Sequence, residues 1–124
     1  MGAKEEMKEK IAKTLAENKV VMFVSHSSGL GREVFQRMNL SSERSKVVET
    51  VEEFANYVQD LIVNEHAGVL LTTHDIFEKV TYASWKGVNI FGKDINIENL
   101  EKCFEEGLSV YLDSSGDIYE GFLD

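Results

Sequence analysis

Proline is absent from this 124-residue chain, and cysteine occurs once, at Cys103. A single cysteine excludes an internal disulfide and every paired-cysteine metal or redox motif. No apolar run approaches the roughly 20 residues that a membrane-spanning helix needs. Basic side chains are also short in supply: 13 Lys and Arg stand against 22 Asp and Glu, a formal charge of −9 at pH 7. A surface of that sign repels nucleic acid and anionic membranes and suits a basic protein partner. No Gly-x-Ser-x-Gly elbow occurs. Ser28-Gly29-Leu30-Gly31 lacks the third glycine and the distant acidic residue of a dinucleotide fingerprint. The start, Met1-Gly2-Ala3-Lys4-Glu5-Glu6, is charged where a secretory leader needs apolar residues, which leads to the expectation of a cytoplasmic protein. The missing prolines carry no functional message.

What is present is an ordinary globular composition, 43% hydrophobic and 28% charged, with enough chain to bury one core. The expected organisation is a single α/β domain over residues 1–124: an N-terminal helix to residue 19, a βαβ core over 20–106 and a C-terminal β-hairpin over 107–124. Glu5–Lys19 is amphipathic, with Met7, Ile11 and Leu15 four residues apart. Val20–Val24 reads as a buried strand, because it is continuously apolar rather than alternating, and Val69–Thr73 reads as a second buried strand. Lys46–Glu49 and Val88–Phe91 read as shorter strands. Helices are predicted over Gly29–Asn39, over Thr50–Asn64 behind a Thr50/Glu53 capping box, over Asp75–Trp85, and from Asn96 to Glu106. Gly107 is placed to end the last helix in the left-handed conformation. Leu108–Leu112 and Asp117–Phe122 flank Asp113-Ser114-Ser115-Gly116 as a hairpin. Strands alternating with helices imply a mainly parallel central sheet with helices on both faces.

The densest chemistry lies in Val20-Val21-Met22-Phe23-Val24-Ser25-His26-Ser27-Ser28-Gly29-Leu30-Gly31-Arg32-Glu33. Here an apolar strand stops at a histidine and three serines, and a helical pattern follows at once. In a parallel sheet that loop sits at the carboxyl end of the strand, where such folds place ligands, and the first turn of the helix offers free N–H groups to an anion. Imidazoles titrate near neutrality, so a histidine there can present a free nitrogen to an electrophile. A phosphoryl group carried on His26 would need donors, and Ser25, Ser27, Ser28, Gly29 and Arg32 are the candidates. Thr72-Thr73-His74-Asp75 ends the second clean strand on the same sheet edge. If the two strands are neighbours, Asp75 can orient the His26 imidazole, Thr73 can add a donor, and His74 can join the site. The plainer alternative is that Ser28 and Thr73 or Asp75 only cap helices. His26, His74 and Asp75 lack a third His or Cys at ligand spacing, so no metal is expected, and no cofactor is implied.

The pattern Val21-x-Phe23-Val24-Ser25-His26-Ser27-Ser28-x-Leu30-Gly31-x-x-Val34-x-x-x-Met38 resembles the start of the mannose-type phosphotransferase-system IIA domain. Within that family it is most similar to the phosphocarrier subunit of phosphotransfer-dependent dihydroxyacetone kinases. The resemblance implies that His26 accepts a phosphoryl group from a general phosphocarrier protein and passes it on. The family follows its third strand with an aspartate and a small Gly- or Ser-rich loop. This chain has Asp75 followed by Ile76-Phe77-Glu78. The leading expectation is therefore a phosphohistidine phosphocarrier, a phosphotransferase if an enzyme, acting with a protein partner and compatible with a homo-oligomer. The alternatives are a non-catalytic interaction or regulatory subunit with the same fold, motivated by Ile76-Phe77-Glu78 and the acidity, and a small-anion-binding module.

Overall fold

Five consecutive apolar residues, Val20 to Val24, can all be buried only if both faces of their strand are covered, and they form the centre of the sheet. A computed structural model describes residues 3–27, 29, 33, 36, 45–112 and 118–120. In it β1 (Val20–Ser25) lies between β3 (Gly68–Thr73) and β4 (Leu108–Leu112). β2 (Ser45–Val47) flanks β3, and β5 (Ile118–Glu120) flanks β4. Strands β2, β3, β1 and β4 are parallel, while β5 runs antiparallel to β4. The molecule is thus a single-domain α/β fold with a mainly parallel sheet, as the sequence pattern predicts.

Side chains of β1 alternate between two cores. Val21 and Phe23 join Val69, Leu71 and Val110 beneath α1 (Ala3–Ala16), which contributes Met7 and Ile11. Val20, Met22 and Val24 face the opposite layer, built from α2 (Val51–Val63), α3 (His74–Lys86) and α4 (Ile97–Glu106). Described helices therefore cover both faces, α1 on the first and α2, α3 and α4 on the second.

Helix ends follow local chemistry. The Thr50 hydroxyl accepts from the Glu53 amide at 3.1 Å, and the Glu53 carboxylate accepts from the Glu49 amide at 3.4 Å, one residue earlier than a capping box predicts. Asn96 caps α4 by accepting from the Glu98 amide at 2.9 Å. The left-handed terminus belongs to Gly87, at φ 69° after α3.

Two sequence expectations need correction. Gly107 is extended (φ −80°, ψ −179°), not left-handed. Its glycine character answers to space instead, since an added Cβ would fall 2.5 Å from the Cys103 carbonyl oxygen and 2.6 Å from that of Val20. Val88–Phe91 is not a strand. The Asn89 side chain gathers this segment into a turn, accepting from the amides of Phe91 and Gly92 and donating to the carbonyls of Gly92 and Ile95. Phe91 is buried while Val88 and Ile90 stay exposed. Apolar alternation mimics a strand there, but the backbone groups are satisfied locally.

The strand order has one consequence for function. The chain leaves β1 for β2, past β3, and leaves β3 for β4, past β1. Connections from these two neighbouring strands diverge in opposite directions, which opens a crevice at their carboxyl ends.

Candidate functional site at the carboxyl edge of the sheet

Register sets the site. Ser25 pairs with Thr73 across β1 and β3, so the next residue on each strand is a histidine. The His26 and His74 rings lie with centroids 4.9 Å apart, tilted by 44°. The Tyr111 ring also meets His74 edge-on, at 5.2 Å. Tyr111 comes from β4, opposite Val24 of β1. Three neighbouring strand ends thus supply a row of His26, His74 and Tyr111. Fully buried Phe77 supports the row from below, its ring 6.0 Å from that of Tyr111.

The sequence-predicted residues divide. His26 is exposed, as a phosphoryl acceptor must be, and Ser27 beside it is exposed too. Ser25 is fully buried, and its hydroxyl donates to the Ser27 carbonyl, closing the turn from within rather than facing an incoming anion. Gly29 is exposed, with open space around the position of an added Cβ. Gly29, Glu33 and Gln36 are helical; Ser28 and Arg32, with the rest of the helix predicted over 29–39, lie outside the described residues. Thr73 serves as the N-cap of α3, its hydroxyl accepting from the Ile76 amide at 3.5 Å. Its proton stays free to donate elsewhere. Asp75 is exposed and pairs with Lys79 at 3.3 Å. Ile76, Phe77 and Val80 turn the buried side of α3 toward the core, so Asp75 falls on its outer side. The side chain against His26 is His74, not Asp75.

Burial acts on both His74 and Tyr111. Burial lowers the His74 pKa, charge on His26 lowers it further, and Glu78 opposes both. Below its ordinary 6.5, His74 is a neutral imidazole at pH 7, with one N–H to donate and one lone pair to accept. Burial first, and the Glu78 charge second, raise the Tyr111 pKa, so its phenol keeps its proton. Tyr111 escapes sequence reasoning because nothing local says that β4 lies beside β1. The hairpin pattern marks only a strand.

Other chemistry-bearing groups lie elsewhere. The Cys103 thiol is buried against Met22, 3.7 Å from its Sδ, and burial pushes its pKa up to about 12, which leaves no thiolate for catalysis. A concavity of about 310 Å³ at the amino end of the strands is lined by Lys19, Glu65, Lys102 and Glu106 among others, away from the histidines. Among the described residues no three His, Cys, Asp or Glu side chains gather to hold a metal ion. No described helix is long and apolar enough to cross a membrane. Comparison of the chain with protein families, with curated proteins and with solved structures yields no match.

Proposed function

We propose that the chain is a phosphohistidine phosphocarrier in which His26 takes up and passes on a phosphoryl group. The observation that carries this reading is the exposed His26 imidazole at a sheet switch point, 4.9 Å from the ring of His74. In the uptake step a neutral nitrogen of His26 attacks phosphorus, forming an N–P bond as the donor's bond to phosphorus breaks. The second ring nitrogen of His26 gives up its proton as the donor's leaving nitrogen takes one. His74 donates its N–H to a phosphoryl oxygen, and the dianion favours protonation of His74, which stabilises the loaded state. Tyr111 holds the His74 ring by its edge contact. Ser27 and Thr73 are the hydroxyl candidates at the rim, and the likeness of Val21–Met38 to mannose-type IIA domains supports the same assignment.

Two donors test this. The chain is incubated with phosphoramidate, and separately with phosphoenolpyruvate and the two general proteins of a phosphotransferase system. One acid-labile phosphoryl group should appear on His26 by peptide mapping and vanish in His26→Ala. Failure of both donors, while a known IIA domain loads under the same conditions, rejects the reading. Thermal stabilisation by inorganic phosphate without covalent uptake would point to the anion-binding alternative instead. The non-catalytic interaction subunit draws on a different observation, the exposed aromatic side chains of α3.

A further inference from the structure

Soluble domains leave few large aromatics in water, yet α3 exposes two: Trp85 is 76% and Tyr82 62% accessible. They stand at the edge of a groove of about 1140 Å³ between α3 and α4, with half-buried Phe104 also in its lining. The other walls are acidic, with Glu78 from α3 and Glu101 and Glu105 from α4. Among the described lining residues Lys79 alone is basic, and Asp75 already holds it at 3.3 Å. No described Lys or Arg lies within ion-pair distance of Glu101 or Glu105. The aromatic pair also seats a cation within this chain, because the Lys86 ammonium lies 4.6 Å over the Trp85 ring and 5.7 Å over that of Tyr82.

We infer that this groove docks a basic amphipathic helical segment of a partner protein. An apolar stripe on such a helix would cover Tyr82, Trp85 and Phe104 and remove their area from water. Lys and Arg on its flanks would meet Glu78, Glu101 and Glu105, steering approach and fixing register. Charge argues against the other occupants. A second copy of this chain also carries −9, and anionic lipid would meet the same acidic rim. The inference is independent of phosphoryl transfer at His26 and survives its failure.

Trp85 is the only tryptophan of the chain, so intrinsic fluorescence reads the groove directly. The full chain is titrated with a synthetic helical peptide bearing a Leu stripe at i, i+3, i+4 and i+7 and Lys on its flanks. A peptide with the same stripe and Glu flanks serves as control. A saturable blue shift with the Lys peptide is expected, weakening as salt rises, with no response to the Glu peptide. The double substitution Glu101→Lys with Glu105→Lys should raise the Kd at least about tenfold while the circular dichroism stays unchanged. Should that variant not fold, the salt series and the control peptide still decide on the unaltered chain. No shift at saturating Lys peptide, an equal shift with the Glu peptide, a shift that grows with protein concentration alone, or one produced by anionic vesicles in place of the Lys peptide overturns the inference.

Discussion

His74 and Thr72 sit two residues apart, and each makes a prediction at the scale of a single side chain. Burial and the neighbouring His26 make protonation of His74 harder in the folded chain than in the unfolded one. On acidification through and below 6.5 the unfolded state therefore binds protons first, and stability falls with pH in that window. Urea midpoints should drop between about pH 7 and about pH 5, and His74→Gln should flatten the drop. An unchanged profile in the variant would place the sensitivity elsewhere. Thr72 is fully buried, and its hydroxyl finds no partner among the described residues. Thr72→Val keeps the shape and removes the orphan, so it should be neutral or stabilise by up to about 1 kcal/mol. A loss of more than about 1 kcal/mol would mean that the hydroxyl is bonded after all.

At the scale of the element, the joint between α4 and β4 is tight at Gly107. Gly107→Ala should destabilise by about 1–3 kcal/mol, because two carbonyl oxygens occupy the space a methyl needs. A thermal midpoint equal to wild type would show that the joint yields. Most elements were legible locally. Continuous apolar runs announce strands buried on both faces, and the threefold and fourfold spacing of Phe54, Val58 and Leu61 announces α2. Thr50 and Asn96 mark helix starts because their side chains satisfy amides the helix leaves free. Val88–Phe91 failed for an equally physical reason: alternation has meaning only beside a partner strand, and here Asn89 supplies the hydrogen bonds.

For the whole molecule, Phe77 joins the layers. Its ring lies 6.3 Å from Phe54 of α2, 5.7 Å from Phe104 of α4 and 6.0 Å from Tyr111 of β4. Phe77→Ala should cost about 3–5 kcal/mol in chemical denaturation, and a cost below about 1 kcal/mol would show that the layers do not depend on it. The same ring ties the groove to the histidine row, since Phe104 faces one and Tyr111 the other. Phe77 thus acts in the core, beneath the site rather than across its mouth.

The amino-acid sequence by itself determined the fold class, the buried central strands, the starts of α2 and α4 and a histidine just past the end of β1, because each follows from local periodicity or a side chain's reach to its own backbone. Only the tertiary structure decided which side chains meet there. Pairing of Ser25 with Thr73 and of Val24 with Tyr111 joins residues far apart in the chain. The turn of α3 sends Asp75 toward Lys79 and leaves His74 against His26. Strand order and helix rotation are set by how the two cores fill, and no local pattern carries that information.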